Sequence, residues 1–560
     1  MLKSLSEPPP SPTFPVQVSK FPTAEQAAAI IKFWLGECNQ NHENCRLHQE
    51  RISTSDMRPT RLLNVSNVNH IWLHTRNLRT SHQMEYLTLS HCWPSDGKIF
   101  KLTKDNLKSL KRRIPLDQLS QTFKDAIAIT NAAGFRYLWI DSLCIIQDSP
   151  QDWATEANRM VHVYRNAALN IVACGLPGVT MFESRNPLSY YPCRIFVDNC
   201  SFYVQPSGTI VKEIPAFKRG WIVQERLLSR RNIYFGMESQ MGEIAWECFE
   251  GNATETTPVT WKPHYEDLVT PTFIRDTQHK AIFERLLGAL WRLQNDSAVE
   301  RAEAHLNFSQ MWTRIVSIYT QTKLTYLSDK LVAFAGIATM ISQNISSNYI
   351  AGMWMSTLPA GLLWFTGNYP VLDPPPERPA WRGAPSWSWA SLDTEIDGGW
   401  PELLDCTTSQ GLRNFHATLI DYETQPVTGR PAAFGEYESA KLRIASVLRP
   451  IREINTDYGC PENDGSREFG SNLIRNVLFL ADVIVPTGTP LFFFTIFKGW
   501  GVNSYGMSPW YKEEGLVLMS HLDGYVRVGY MRIIFHEDEK NNVLVNMLWG
   551  DGKVQMVTLY

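Results

Sequence analysis

The stretch Tyr137-Leu-Trp-Ile-Asp-Ser-Leu-Cys-Ile-Ile-Gln147 decides how the fold is interpreted from the sequence. It is an apolar run that ends in polar residues. Two similar runs flank it, Tyr86-Leu-Thr-Leu-Ser-His-Cys-Trp93 and Ala168-Leu-Asn-Ile-Val-Ala-Cys174. Short apolar runs of this kind are typical of buried strands. Helix-like stretches separate the three runs, and the alternation of strand and helix favours a parallel sheet with right-handed crossovers.

Three helices are predicted around these strands from periodicity and capping residues. They span Leu102 to Arg112, Gln121 to Ala133, and Ser149 to about Asn166. Gly134 suits the position after the second helix, and Pro150 suits the first turn of the third. Because ligands of open α/β sheets bind at the edge where parallel strands end, the residues that follow the strands are expected to share a cleft.

The polar residues after the first two strands form the first candidate site. They are Ser90, His91, Cys92, Trp93, Asp141, Ser142 and Cys144. His91 and Cys92 would point to opposite sides if the strand continued through them, so they form a poor catalytic pair unless the strand ends in a turn. A nucleophilic cysteine needs a base and a lowered pKa, for which His91 with Cys144 is one candidate pair. The alternative for both cysteines is buried packing.

Asp141 is the most informative member of this site, because a carboxylate that ends an apolar strand is costly to bury unpaired. One interpretation is structural, with hydrogen bonds from the backbone or Ser142, or a pair with an arginine such as Arg219. The other is contact with a ligand at the strand edge.

A second cluster lies downstream at Arg219, Trp221, Gln224 and Glu225. On a helix, Trp221 and Glu225 share one face. Arg219 is suited to bind a phosphate or carboxylate, and Glu225 to hold a ribose or stabilise an oxocarbenium-like state. The alternative is an ion pair of Arg219 with Glu225 or Asp141 that fixes the helix to the sheet.

The N-terminal region contains Cys38, His42, Cys45 and His48 within one short segment. The segment follows a helix for which Thr23-Ala-Glu-Gln26 predicts a capping box. The four residue types invite a zinc interpretation, but they are crowded and no second cluster matches the usual finger spacings. No metal ion is therefore assigned from the sequence. The alternative is a helix end whose cysteines and histidines pack against the next domain.

Composition excludes several classes of protein. The 560 residues predict two to four domains, and the net charge of −3 gives no electrostatic case for nucleic acid or an anionic membrane. Charged residues and prolines interrupt the apolar segment from Leu473 to Phe497, so no membrane span is predicted. The N-terminus lacks the apolar region of a signal peptide, which predicts a cytoplasmic protein with mostly reduced cysteines. No Walker A loop or GxGxxG motif occurs, and no cofactor is predicted.

Several blocks of the sequence, taken in order, resemble the fungal heterokaryon-incompatibility (HET) domain. They are Tyr86-Leu-Thr-Leu-Ser-His-Cys-Trp93, Phe123-x-Asp125-Ala-Ile127, Trp139-Ile-Asp-Ser-Leu-Cys-Ile-Ile-Gln147, Met160-x3-Tyr164-x2-Ala167, Arg219-Gly-Trp-x2-Gln-Glu-Arg-Leu-Leu-Ser229 and Trp246-Glu-Cys248. Two later segments, Leu324-Thr-x2-Ser328-Asp-Lys-Leu331 and Pro385-Ser-Trp-Ser-Trp-Ala-Ser391, resemble elements that commonly follow this domain. The resemblance therefore covers roughly residues 30 to 395 and, weakly, the C-terminal strands. One departure is Pro94, where many members have glycine, because proline fixes φ and removes an N–H.

The resemblance implies a fungal protein linked to non-self recognition and to programmed death of fused hyphae. The HET domain has been likened distantly to TIR-type signalling domains, some of which hydrolyse NAD. A protein that acts through partners of an incompatibility pathway is therefore expected, with nucleotide or NAD cleavage as its possible chemistry. Asp141, Arg219 and Glu225 would then form the polar core of the cleft.

Two alternatives remain open, so whether the chain is an enzyme is undecided from the sequence. Some family members lie beside biosynthetic genes, which implies a stand-alone enzyme of secondary metabolism, a cyclase, hydrolase or acyl-transfer catalyst on a small-molecule substrate. The other alternative is a catalytically inert protein-interaction module. The sequence carries no signal for an oligomeric state.

The predicted fold class is α/β, or α+β overall, in four regions. These are an N-terminal arm and helix (1–60), a HET-like core with a parallel-type sheet flanked by helices (61–250), a linker and accessory helical region (251–395), and a β-rich region (396–560). Residues 1–21 are expected to be a flexible arm. Trp387 and Trp389 are expected on one side of a strand, as core or domain-contact residues or, alternatively, as an aromatic shelf for a ligand.

Overall fold

The structure is a computed structural model of the chain. It describes residues 2–5, 19–50, 58–75, 84–94, 96–186, 193–197, 200–206, 214–236, 243–255, 258, 279–295, 298–366, 378, 383–398, 415–426, 437–451, 477–486, 488–501, 510–536 and 553–560. The chain divides into two compact units, Met1–Glu284 and Arg285–Tyr560.

The first unit combines helices with two sheets. Its helices are α1 (Ala24–Asn41), α2 (Glu43–Glu50), α3 (Leu107–Leu110), α4 (Gln121–Ala132), α5 (Asp141–Cys144), α6 (Pro150–Asn166) and α7 (Gly220–Leu228). Its strands are β1 (Leu2–Leu5), β2 (Arg61–Asn64), β3 (Trp72–Thr75), β4 (Tyr86–Ser90), β5 (Tyr137–Ile140), β6 (Leu169–Ala173), β7 (Cys193–Val197), β8 (Cys200–Pro206), β9 (Arg231–Phe235), β10 (Ala245–Cys248) and β11 (Asn252–Thr254). Helix α8 (His279–Asn295) begins in this unit.

The core of the first unit is an eight-stranded mixed sheet with the order β11-β10-β9-β6-β4-β5-β2-β3. The central strands β9, β6, β4 and β5 are parallel, whereas β2 and β10 add to them in antiparallel orientation. Strands β4, β6 and β9 are buried along their whole length, as is typical of parallel strands. The predicted α/β core is therefore confirmed.

The predicted helix boundaries follow from capping residues that the structure shows in use. The Thr23 hydroxyl accepts a hydrogen bond from the Gln26 N–H at 3.3 Å, and the Gln26 side chain accepts one from the Thr23 N–H at 3.2 Å, which completes the capping box of α1. Ser149 caps α6 through the Asp152 N–H. Gly134 follows α4 with a φ of +94°, a conformation that glycine adopts without strain.

Two predictions about local structure are wrong in extent. The helix expected from Leu102 to Arg112 is only the short α3, because the Asn106 side chain bonds the Lys101 carbonyl and the Thr103 N–H and holds the preceding residues in a turn. The apolar run after Tyr137 leaves the sheet at Asp141, where α5 begins. The second difference matters for the site, because Asp141 and Ser142 have helical backbone conformation in α5 and do not continue the strand.

The prediction of a flexible arm is also wrong for residues 2–5. Strand β1 pairs antiparallel with β8, with Leu2 opposite Pro206 and Leu5 opposite Tyr203. The pairing satisfies backbone groups that an edge strand would otherwise leave open. Residues 6–18 of the arm lie outside the described residues.

The second unit is rich in strands towards its C-terminal part, as predicted. After α8 come α9 (Ala298–Thr320) and α10 (Val332–Ser342). Its strands are β12 (Tyr349–Ile350), β13 (Met353–Trp354), β14 (Trp364–Thr366), β15 (Ile396–Gly398), β16 (Thr418–Pro426), β17 (Tyr437–Ile451), β18 (Val477–Ala481), β19 (Leu491–Gly501), β20 (Trp510–His521), β21 (Gly524–His536) and β22 (Lys553–Leu559). A seven-stranded sheet joins β16-β17-β19-β20-β21-β18, and β22 pairs with both β17 and β21.

The Ser-Trp-Ser-Trp segment is buried but is not a strand. Trp389 begins a 3₁₀ turn, and the Ser388 hydroxyl accepts a hydrogen bond from the Ala390 N–H at 3.0 Å. This local hydrogen bond favours a turn over extended backbone. Trp387 and Trp389 are 0% and 2% exposed, so the prediction of core residues is confirmed and the strand geometry is wrong.

Most of the linker predicted after residue 251 lies outside the described residues, although residues 252–254 form β11. Among the helices that the structure describes, none combines the length and the apolar character needed to cross a bilayer.

Candidate functional site

Helix α7 brings the second predicted cluster to the ends of β4 and β5. Arg219 stands directly before α7, and its guanidinium donates a hydrogen bond to the His91 carbonyl just after β4. Arg219 Nη1 also lies 3.9 Å from Glu225 Oε1. The two clusters that the sequence places far apart therefore form one polar site, here called the strand-edge site, made of His91, Asp141, Arg219 and Glu225.

Asp141 is held by hydrogen bonds from neighbouring segments. Its Oδ1 accepts from the Ser142 N–H at 2.6 Å, and its Oδ2 accepts from Trp93 Nε1 at 3.0 Å. His91 Nε2 lies 3.8 Å from Asp141 Oδ1, which is too long for a hydrogen bond. Within the described part of the chain, Arg219 pairs with Glu225 and forms no ion pair with Asp141.

Glu225 is the most deeply buried acid of the strand-edge site. Its side chain is 3% exposed, and its Oε2 accepts no hydrogen bond from any described residue. Burial raises the pKa of Glu225, and the Arg219 guanidinium and the Ser90 hydroxyl oppose that increase. An unsatisfied buried acceptor costs about 1–3 kcal/mol, so a donor on a bound ligand would stabilise this carboxylate.

Exposure varies across the strand-edge site. The side chains of Arg219 and Asp141 are 23% and 19% exposed, whereas His91 is 4% exposed. The rim of the site is therefore charged and accessible to solvent, whereas the bottom of the site is buried. This arrangement suits a ligand that places an anionic group near Arg219 at the rim and a hydrogen-bond donor near the buried Glu225.

A pocket of about 370 Å³ opens beside His91 and Cys92. The remaining walls are Pro94, Asp96, Lys98, Ile99, Phe100, Gln118, Leu119, Ser120, Thr122, Pro177 and Gly178. Its volume lies within the range of about 300–1,000 Å³ that is common for small-molecule sites. His91 belongs both to the pocket wall and to the strand-edge site, so a ligand of this size in the pocket would lie next to the charged rim.

Cys92 and Cys144 lack the environment of a nucleophilic cysteine. Burial raises the pKa of Cys144 to about 12 and also raises the pKa of Cys92. Both ring nitrogens of His91 are buried without a hydrogen-bond partner among the described residues, so neither thiol is bonded to that base. The packing alternative therefore accounts better for both cysteines.

The other predicted ligand-binding residues surround the strand-edge site. Trp221 packs edge-on against Trp153 with ring centroids 6.3 Å apart, and Gln224 is buried on α7. Ser142 is fully buried, and its hydroxyl has no hydrogen-bond partner among the described residues. Ser90 ends β4 and contacts the site through its hydroxyl.

Sequence reasoning missed two groups that support the strand-edge site. Tyr164 is buried there, and burial together with the charges of Glu225 and Asp141 raises its pKa well above the usual value. Asn170 bonds the Ser90 hydroxyl at 3.2 Å and donates to Asn232 at 3.1 Å. An asparagine inside an apolar strand run was the signal that pointed to a buried polar partner.

We expect His91 to make the first unit sensitive to acid. Burial lowers the pKa of His91 to about 4; Asp141 opposes this shift, Arg219 adds to it, and Phe123 packs against the ring. An unfolded histidine has a pKa near 6.5, so the unfolded state binds the proton first as the pH falls. Stability that is fully present above about pH 6.5 is therefore lost towards pH 4, by about 3 kcal/mol.

The measurement is urea unfolding followed by tryptophan fluorescence at a series of pH values between 7.5 and 4.5. His91→Gln should show a smaller loss of stability on acidification than the unchanged protein. His70→Gln, at an exposed position in the turn between β2 and β3, is the control and should retain the full loss. Equal pH dependence of the unchanged protein and His91→Gln would contradict the assignment.

A second side-chain cluster joins Cys38, His42 and Cys45 with Cys248. One ligand atom from each residue lies within 4.8 Å of the others, and all four residues are buried. His48 lies in α2, but its side chain is outside the described residues. Three of these residues, Cys38, His42 and Cys45, belong to the segment singled out from the sequence, whereas Cys248 could not be linked to them because β10 is distant in the chain.

The comparison with protein families matches part of the first unit. Residues 86–225 match the family model described as Heterokaryon incompatibility protein (HET). The resemblance stated from the sequence is thus confirmed over this region, and the chain carries a HET domain, which supports a function related to heterokaryon incompatibility. The matched region extends from the first residue of β4 to Glu225 and contains the whole strand-edge site. No curated protein and no solved structure matches the chain.

Proposed function

We propose that this chain is a cytoplasmic protein of fungal heterokaryon incompatibility that takes part in non-self recognition and cell-death signalling. We further propose that its strand-edge site binds and cleaves a nucleotide such as NAD. The HET match supports the first statement in its general form. The observation that carries the second is the buried Glu225 carboxylate, which has an unsatisfied oxygen beside the Arg219 guanidinium.

Each residue of the strand-edge site has a distinct task in this proposal. Arg219, at the exposed rim, binds a phosphate of the nucleotide, for which a guanidinium offers paired donors. Glu225, at the buried bottom of the site, accepts a hydrogen bond from a ribose hydroxyl and faces the positive charge that develops on the ribose. Asp141 keeps the rim polar and is already oriented by Trp93 and Ser142.

The reaction is hydrolysis of the bond between ribose C1 and the nicotinamide nitrogen. The nitrogen leaves with the bonding electron pair, water adds its oxygen to C1, and one proton is released, so the products are ADP-ribose and nicotinamide. A carboxylate held close to C1 stabilises the oxocarbenium-like transition state electrostatically. The buried bottom of the site strengthens this effect, because electrostatic interactions are stronger where water is excluded.

The test is incubation of the purified full chain with NAD and related nucleotides, followed by chromatography of the products. We expect nicotinamide release by the unchanged protein and a loss of at least about 100-fold in Glu225→Gln. Glu156→Gln is the matched control, because Glu156 is also a buried glutamate of this unit but bonds Thr60 instead of Arg219. Unchanged nucleotides with folded protein would contradict the cleavage step.

The incompatibility role is tested separately by controlled expression in a fungal host. Growth arrest that requires Glu225 supports both parts of the proposal. Growth arrest that persists in alanine variants of Glu225, Asp141 and Cys92, with the proteins still folded, would support an interaction module without catalysis. Normal growth at high expression would contradict the cell-death role.

The pocket beside Cys92 favours one second candidate, a biosynthetic enzyme for a small-molecule metabolite. Ile99, Phe100 and Leu119 give the pocket an apolar part next to the polar His91 and Lys98. Such a mixture is usual in sites for small organic ligands. Binding of an apolar metabolite, measured by quenching of tryptophan fluorescence and lost in Leu119→Arg, would favour this candidate over nucleotide cleavage.

A further inference from the structure

We propose that Cys38, His42, Cys45 and Cys248 bind one zinc ion that fastens the N-terminal helix pair to strand β10 of the mixed sheet. The ligand atoms of these residues lie within 4.8 Å of one another. Tetrahedral zinc with bonds of about 2.3 Å to sulfur and 2.0–2.1 Å to nitrogen separates its ligand atoms by roughly 3.5–3.8 Å. Contraction of the widest pair, at most 4.8 Å apart, by about 1.0–1.3 Å would therefore complete the site, and a side-chain rotation can supply it.

The positions of the four residues in the fold bring their side chains close together. Cys38 lies in the last turn of α1 and His42 is the residue that ends this helix, one helical turn later. Cys45 follows in the first turn of α2, and Cys248 is the last residue of β10. His42 Nδ1 is 3.2 Å from the Cys248 sulfur, and a ring nitrogen of His42 lies within 4.8 Å of the other two sulfurs.

Contacts outside the four ligands hold the same elements together. Trp34 of α1 packs on Trp246 of β10 with ring centroids 5.9 Å apart. The Glu250 side chain, in the turn after β10, accepts a hydrogen bond from the Asn44 N–H at 2.5 Å. A preformed site of this kind loses little side-chain freedom when the ion binds, because its ligands are already ordered.

The charge around the cluster suits three thiolates. Zinc with three thiolates and one neutral imidazole carries a net charge of −1, which needs a partner when it is buried. Arg231, opposite Cys248 in the β9–β10 pair, is 2% exposed and donates from Nε to the Cys38 sulfur at 3.1 Å. The buried Lys280 ammonium lies 4.7 Å from the centroid of the Phe249 ring, next to Cys248 in the chain.

The ligand set and its burial identify the metal and its role. Thiolates with imidazole favour zinc over magnesium or calcium, which prefer oxygen ligands. Cys38, Cys45 and Cys248 are at most 3% exposed, and His42 is 7% exposed. Four protein ligands without an open position indicate a structural site instead of a catalytic one. The strand-edge site and this zinc site are thus separate features with separate tests.

The first test uses the unchanged full chain, expressed with zinc present and purified under reducing conditions. Native mass spectrometry should show one zinc ion per chain, and X-ray absorption at the zinc edge should show three sulfur neighbours and one nitrogen. Protein without zinc that also fails to take it up when supplied would overturn the proposal. So would a first shell made only of oxygen and nitrogen.

The second test distinguishes the ligand set. Cys248→Ser should reduce bound zinc from about one per chain to background, or leave a protein that unfolds at markedly lower temperature. Cys174→Ser, at a buried cysteine directly after β6, and His48→Ala are the controls, and both should keep one zinc ion. Loss of zinc in His48→Ala with retention in Cys248→Ser would replace the proposed ligand set with the one suggested by the local spacing.

Discussion

Replacement of Arg527 by methionine is expected to lower the free energy of unfolding of the second unit by about 3–5 kcal/mol. Arg527 lies in β21, is 0% exposed, and bonds Asp482 at 2.7 Å. Its guanidinium also donates to the carbonyls of Leu362 and Trp364. Removal of the arginine leaves a carboxylate and two carbonyl groups buried without their donors, and each loss costs free energy.

Chemical denaturation of the two proteins measures this loss. The double variant Arg527→Met with Asp482→Leu should recover part of it, because an apolar pair leaves no buried charge behind. Arg443→Met is the matched control, since Arg443 pairs with Asp421 in an exposed position and is expected to change stability little. A loss in Arg527→Met no greater than in Arg443→Met would show that the buried pair does not stabilise the unit.

Gly352→Ala is expected to destabilise the second unit by about 2–4 kcal/mol. Gly352 has a φ of +90°, a conformation that an L-residue adopts only with strain. A Cβ at this position would lie 2.8 Å from the indole ring of Trp389, which is buried and bonds the Gly352 carbonyl at 2.9 Å. The substitution therefore adds a steric clash to the backbone strain.

Gly488→Ala separates these two effects. Gly488 has a similar φ of +81°, but nothing lies within 4 Å of the position of its Cβ. It should show the backbone strain alone, a loss of about 1–2 kcal/mol. Thermal unfolding of the three proteins gives the comparison, and equal shifts for both alanine variants would mean that the indole ring moves aside without cost.

The parallel core was predictable because its signals are local. Apolar runs of strand length alternate with capped helices, and the residues Thr23, Ser149 and Gly134 act as their types predict. The HET resemblance was predictable for the same reason, since its blocks are short continuous segments. The turn at Trp389 was not predictable, because the Ser388 hydroxyl, which accepts a hydrogen bond from the Ala390 N–H, outweighed the alternating pattern.

The sites were predictable only in part, because their partners come from distant segments. The types of Asp141, Arg219 and Glu225 indicated a polar cleft, and the structure adds that Arg219 pairs with Glu225 and bonds the His91 carbonyl. Cys248 became a neighbour of Cys38 only through the antiparallel strand β10, which no local pattern linked to the N-terminal helices. Register between distant strands depends on the whole sheet, so a single sequence does not specify it.

The order of the mixed sheet has a consequence for any attempt to isolate the HET domain by its family boundaries. Residues 86–225 include β4, β5 and β6 but leave out β2, which pairs with β5, and β9, which pairs with β6. A fragment cut at these boundaries would expose one edge of β5 and one edge of β6, with N–H and C=O groups that are paired in the intact sheet. Such edges template intermolecular pairing, so the excised fragment should aggregate, whereas a fragment that keeps the flanking strands should remain monodisperse.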